Sequence, residues 1–234
     1  MAYILHIETA TSVCSVAVSS DDTIVFEREE LQGPSHASVL GVFVKEAIDF
    51  VRAQGVSLDA VAVSCGPGSY TGLRIGVSEA KGLAYGLNIP VIALETLTIM
   101  AAGVLKRQQI GEGAVLCPMI DARRMEVYDV LLNTRLEKIR PISADIIDET
   151  SFASELEEHP IYFFGDGAAK CQEVIRHDNA IFVDAVYPKA SDMAGLALKA
   201  YEQKDFVDVA YFEPFYLKEF VATTPKNKVL GTNL

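Results

Sequence analysis

The first thirty residues carry short apolar runs of strand length separated by polar breaks. Tyr3 to Ile7 and Val13 to Val18 read as two strands joined by Glu8-Thr9-Ala10-Thr11-Ser12, and Thr23 to Glu30 as a third after an Asp21-Asp22 turn. Beyond them helical spacing sets in. A helix is predicted from His36 to about Arg52, then a strand at Ala60 to Cys65, a glycine turn feeding a second helix, a strand at Pro90 to Leu94, and a helix from Glu95 to about Lys106. Gly111 to Gly113 marks a break, after which strands restart at Val115 to Ile120, Glu126 to Leu132 and Glu137 to Ile142. Short strands at Ile161 to Phe164, Ile181 to Val183 and Phe215 to Leu217 alternate with helices over Gly167 to Arg176 and Ser191 to Gln203. Two rounds of a three-strand meander followed by helix and strand predict an α/β fold of two lobes, each a mixed sheet covered by helices. The expected division is an N-terminal lobe over 1–108, a C-terminal lobe over 109–217, and a polar tail over 218–234, mobile unless a partner orders it.

Residues 66 to 86 contain the least ordinary helix. Gly72, Gly76, Ala80 and Ala84 recur every four residues, so one side of this helix carries almost no side chains. Each interior glycine costs about 1 kcal/mol relative to alanine, which calls for a compensating close contact with another backbone. The polar side gathers Arg74, Ser78, Lys81 and Tyr85. In the preceding helix Val39, Leu40, Phe43, Val44, Ala47, Ile48, Phe50 and Val51 cover about half the circumference, wider than the roughly 100° stripe that one sheet needs. The two helices together suggest a docking face for another subunit, built from Leu40, Phe43, Val44, Ala47, Gly72, Arg74, Gly76, Ala80 and Lys81. The alternative is that they pack only on each other. On the docking reading, Gly76→Leu or Ala80→Glu would leave the fold mostly intact and abolish association.

Charge and composition narrow the chemistry. A net charge of −12 argues against a protein that grips nucleic acid alone, because phosphate contacts need concentrated Lys and Arg. No apolar run has membrane-spanning length, and the first residues lack a signal-peptide pattern, so a cytoplasmic protein without a membrane partner is expected. Cys14, Cys65, Cys117 and Cys171 are far apart and read as reduced core thiols. The turn Gly66-Pro67-Gly68-Ser69 precedes a helix, where backbone N–H groups can hold an anion, yet it lacks a Walker lysine and the Gly-x-Gly-x-x-Gly spacing. Glu8, Thr9 and Thr11 in the first hairpin, with Gly165, Asp166 and Gly167, form a candidate remnant nucleotide site. No glycine lets the first hairpin approach a phosphate, and the Glu8 carboxylate would repel one, which points away from ATP hydrolysis. His36 opens the first long helix, but Leu40 occupies the position where a helical metal site needs its second histidine. Arg123 and Arg124 sit at a hairpin tip suited to a phosphate or carboxylate.

Several of these segments together resemble the bacterial TsaB (YeaZ) family: Ile-Glu-Thr-Ala-Thr at 7–11, Cys-Ser-Val-Ala-Val at 14–18, Ser-His at 35–36, the run at 66–86, and Asp-Ala-Arg-Arg-Met-Glu-Val-Tyr at 121–128. Gly165-Asp166-Gly167-Ala168 and Phe215-Tyr216-Leu217-Lys218 extend the likeness. The resemblance implies a duplicated ribonuclease-H-like architecture of the actin, sugar kinase and heat-shock ATPase type. It also implies a non-catalytic subunit of the machinery that makes threonylcarbamoyladenosine (t6A) beside the tRNA anticodon. The implied partners are a TsaD-like catalytic paralogue, a TsaE-like ATPase and, when alone, a second copy; tRNA would be met only through the complex. No cofactor is implied, apart from a nucleotide in the assembled complex. This chain departs from the family pattern at Glu8, commonly Asp, and at Lys218, frequently Arg. An independent metallopeptidase-like or ATP-hydrolysing enzyme of the same superfamily is the alternative.

Overall fold

The computed structural model describes residues 1–31 and 36–218. Strands β1 (Tyr3–Glu8), β2 (Cys14–Ser20) and β3 (Thr23–Glu30) form an antiparallel meander. β4 (Ala60–Gly66) and β5 (Val91–Glu95) extend it in parallel from β1, giving the order β3-β2-β1-β4-β5. The second half repeats the same plan. β6 (Val115–Asp121), β7 (Glu126–Asn133) and β8 (Lys138–Ile146) form the meander, and β9 (Ile161–Phe164) and β10 (Ala180–Val183) add in parallel, in the order β8-β7-β6-β9-β10. The duplicated two-lobe α/β architecture is therefore present.

Both faces of the first sheet are covered, so its central strands are continuous apolar runs instead of alternating ones. Leu5, Ile7, Val61 and Val63 point to α1 (His36–Ala53) and α2 (Tyr70–Leu87), while Ile4, Ala60 and Ala62 point the other way. The cover on that second face comes from far along the chain. A 3-10 turn at Ala190–Met193 and helix α6 (Ala194–Gln203) return from the second half, with Ala197 packed on Ile4, Ala60, Ala62 and Ile92. The Ala190 N–H donates to the Ser15 hydroxyl at 2.9 Å. Conversely, α3 (Thr96–Arg107), which belongs to the first half, packs Leu97, Met100, Ala101 and Val104 against Leu116, Ile120 and Val130 of the second sheet. An Arg107–Asp192 ion pair at 3.0 Å ties the two crossing elements together. The expected C-terminal span 109–217 is thus divided in space between the two sheets.

Three local expectations need correction, and one helix was not expected. The helix expected over Gly167–Arg176 contracts to α5 (Ala168–Cys171), and α4 (Ala153–Glu158) was hidden because Leu156 is its one buried residue. β8 runs on to Ile146. Phe215–Leu217 is not a strand: the Phe215 N–H donates to the Cys65 carbonyl at 2.6 Å, but Pro214 removes the neighbouring donor and no ladder follows. All four cysteines are buried, and burial raises their thiols, Cys14 and Cys171 to about 11 and Cys65 to about 12, so they stay protonated core residues. Among the described residues no helix is long and apolar enough to cross a membrane.

Candidate functional site

The small-residue stripe of α2 faces inward. Gly72, Gly76, Ala80 and Ala84 are all buried. A Cβ on Gly72 would overlap the Thr9 carbonyl oxygen, and one on Gly76 would overlap the Thr9 hydroxyl. That hydroxyl donates to the Gly72 carbonyl at 2.8 Å. The closely approaching backbone is the chain's own β1–β2 turn, so these positions cannot admit a partner. Leu40, Val44 and Ala47 on α1 are likewise core residues. Much of the apolar surface of α1 that looked spare is taken up internally: Val39, Phe43, Ile48 and Phe50 pack against this core, with the Phe26 and Phe50 rings 5.4 Å apart. Of the nine expected docking residues, Arg74 alone is exposed; Phe43 and Lys81 are half-buried, and Lys81 donates to the Phe212 carbonyl at 3.0 Å.

The outer face of the same two helices offers something different. Gly41 on α1 and Gly82 and Gly86 on α2 have open space where a side chain would stand. Ser78, Gly82 and Gly86 repeat every four residues on the solvent side, beside Val42 (53% exposed) and Tyr85 (87% exposed). Tyr85 was singled out from the sequence, but Gly41, Val42 and Gly86 were not. The signal existed, because Gly82 and Gly86 continue a second four-residue stripe of the same helix.

Between the lobes lies a cleft of about 1040 Å³, lined among others by Thr11, His36, Ser69, Tyr70, Asp121, Arg123, Asp166 and Tyr216. Of the candidate nucleotide residues, Thr11 and Asp166 line it. Glu8 and Thr9 are fully buried, and neither they nor Gly165 and Gly167 are among its lining residues. A Cβ on Gly165, whose φ is +104°, would overlap the Met119 carbonyl, and one on Gly167 would crowd the Ile120 backbone, so both glycines serve packing. Glu8 turns back on its own hairpin: its Oε1 accepts from the Ala10 N–H at 2.6 Å and from the Ser64 hydroxyl at 3.0 Å. Burial pushes its carboxyl up to about 7, against the pull of those donors. The glycine turn is similarly engaged. The Ser69 N–H donates to the Ala10 carbonyl at 2.6 Å, and its Oγ accepts from the Gly72 N–H at 3.2 Å, capping α2. Gly66 lies so close to the Phe215 carbonyl that no side chain fits. This turn is a clamp between hairpin and C-terminal segment more than an anion cradle.

His36 reaches the Val13 carbonyl through Nε2 at 3.2 Å. Among the described residues no group of three or more His, Cys, Asp or Glu side chains could hold a metal ion. Asp121 is paired with Lys170, and Asp166 accepts from the Asp121 N–H at 3.0 Å. The C-terminal segment lines the cleft: Tyr216 packs on Tyr70 with ring centroids 4.8 Å apart, Arg74 sits over the Tyr70 ring, and Lys218 pairs with Glu126 of the second sheet.

Residues 30–226 match the family described as TsaD: tRNA N6-adenosine threonylcarbamoyltransferase. The tRNA threonylcarbamoyladenosine biosynthesis protein TsaB of Escherichia coli is 30% identical over 230 residues, covering 94% of this chain and 96% of that protein. The chain belongs to the TsaB family. The TsaB protein of Haemophilus influenzae is equally similar, at 30% identity over 231 residues. The solved structure of YeaZ from Pseudomonas aeruginosa superposes with a TM-score of 0.79 at 25% identity, covering 93% of this chain and all of that one. The fold of this TsaB family member is therefore shared with YeaZ across both lobes and the crossing helices.

Proposed function

We propose that the chain acts in tRNA threonylcarbamoyladenosine biosynthesis as a non-catalytic cytoplasmic subunit that docks a TsaD-like catalytic paralogue, in a complex that also holds a TsaE-like ATPase. The observation that carries the docking reading is the outer face of α1 and α2. Helix backbones bare of side chains at Gly41, Gly82 and Gly86, flanked by exposed Val42 and Tyr85, suit close helix-on-helix packing. The same face would join two copies when no paralogue is present. The engagement of Glu8 by Ala10 and Ser64 supports a supporting role over ATP hydrolysis, since that carboxylate holds the hairpin together. A nucleotide, if one enters the assembled complex, would meet Thr11 and Asp166 in the cleft.

The test pairs Gly82→Glu with Tyr85→Glu, both at positions where the added charge meets solvent in the isolated chain. Each variant should keep the parent's circular dichroism and fail to co-elute with the cognate TsaD-like protein. A complex retained by both would refute the docking face. Mass spectrometry of bulk tRNA from a deletion strain should show loss of threonylcarbamoyladenosine, and normal levels would refute the pathway assignment.

A further inference from the structure

The second sheet ends at β8, and only half of that edge is guarded. Two register irregularities fall within residues 138–143, where Pro141 and the exposed Lys138 also stand. Bulges, proline and lysine are the usual devices against pairing with another chain. Over residues 143–146 the ladder with β7 is regular. Because the Ile147 N–H donates inward to the Met125 carbonyl at 2.8 Å, strand alternation turns the N–H and C=O groups of Ile146 and Ala144 outward. The first sheet treats its edges otherwise: β3 ends in Glu27-Arg28-Glu29-Glu30, and Val207 bridges the opposite edge at Val91.

Side chains on this open stretch differ between the two faces. Ile146, the ladder partner of Glu126, is 75% exposed, while Asp145, the partner of Val127, leaves the opposite face. A cavity of about 390 Å³ opens there, with Asp145, Ser151, Phe152 and Arg140 in its wall. Arg140 is held by two carboxylates, Asp129 and Asp145, so the cavity carries no net positive charge. The surroundings are acidic. Residues 141–169 include no Lys or Arg, and the exposed Asp148 and Glu149 follow Ile146 within about 10 Å, one Debye length at 0.1 M salt. We propose that the edge at residues 143–146 binds, by strand addition, an extended segment of another protein in which apolar and basic residues alternate. Directly opposite residues of paired strands share a face, so the apolar side chains of that segment lie against Ile146 and Ala144. The basic side chain between them enters the cavity and meets Asp145. This surface belongs to the second sheet and leaves the outer face of α1 and α2 free.

The probe is a short peptide of alternating valine and lysine, added to the full chain while amide exchange is followed by NMR. At saturation the Ala144 and Ile146 amides should exchange about tenfold slower or more, with protection falling as salt rises. A peptide of alternating valine and glutamate should leave them unchanged. Ala144→Pro removes only an outward donor, and Ile146→Lys repels the lysines, so each variant should keep the parent's circular dichroism and lose peptide binding. Absence of protection by the valine and lysine peptide, or binding retained by both variants, would overturn the proposal. Equal protection by the two peptides would overturn the basic occupant. Protection already present without peptide would overturn it as well, making the occupant a second copy if it rises with protein concentration and the chain itself if it does not.

Discussion

Alanine at Gly72 and alanine at Gly82, ten residues apart on α2, should move stability in opposite directions. At Gly72 the new Cβ meets the Thr9 carbonyl, a backbone atom that must retreat by roughly 1.4 Å or more to reach ordinary contact. Overpacking of this kind costs about 1 to 3 kcal/mol. The retreat also strains the buried bond from the Thr9 hydroxyl to the Gly72 carbonyl, whose loss would add about 1 to 3 kcal/mol. Against this stands the helix-propensity gain of about 1 kcal/mol, so the net loss is about 1 to 5 kcal/mol. At Gly82 there is open space, and only the gain of about 1 kcal/mol applies. Urea unfolding followed by circular dichroism reads both variants on one scale. A Gly72→Ala protein as stable as its parent, or a Gly82→Ala protein less stable than it, would refute the inward assignment of the stripe.

Other consequences can be measured in the same way. Gly76→Leu should unfold the protein or lower its stability by several kcal/mol, because the side chain would have to enter the space of Thr9; an intact, parent-like variant would contradict the packing. Glu8 carries a raised carboxyl, so the stability linked to its neutral form is fully present below about 4.5 and is lost as pH rises through about 7. Glu8→Gln retains an acceptor for Ala10 and Ser64, and should therefore gain on the parent by about 3 kcal/mol at pH 8 but little at pH 5; an equal difference at both pH values would refute this. Arg140 pairs with the fully buried Asp129 and with Asp145. Arg140→Met should cost about 3 to 5 kcal/mol by leaving Asp129 uncompensated, with most of it recovered in Arg140→Met/Asp129→Leu. Failure of the double variant to recover would assign the loss to the Arg140 stack over Phe152 instead.

Short apolar runs and the turns between them made both meanders legible, and α1, α2 and α3 are close to their expected spans. What the pattern could not reveal was which surface each helix covers. Gly72 and Gly76 announced a close backbone approach correctly, but a sequence carries no label for whether that backbone belongs to the same chain. Thr9 lies 63 residues from Gly72, beyond any local signal. Glu8 was legible as a poor phosphate neighbour, while its engagement by Ser64 depends on β1 and β4 being paired. The strand expected at Phe215–Leu217 failed because a lone backbone bond beside Pro214 mimics a strand in composition without building a ladder. Residues 219–234, which include most of the expected polar tail, lie outside the described residues.

The exchange of helices between the halves has a consequence for how the molecule is made. A chain cut after Arg107 would leave the first sheet without Ala197 and its neighbours on one face, and the second sheet without Leu97, Met100 and Val104. Neither fragment could bury its own apolar surface, so the two lobes should appear and melt in a single transition despite their separate sheets. A ribosome would have to deliver α6 before the first sheet could close, which makes the earliest-synthesised strands among the last to be finished.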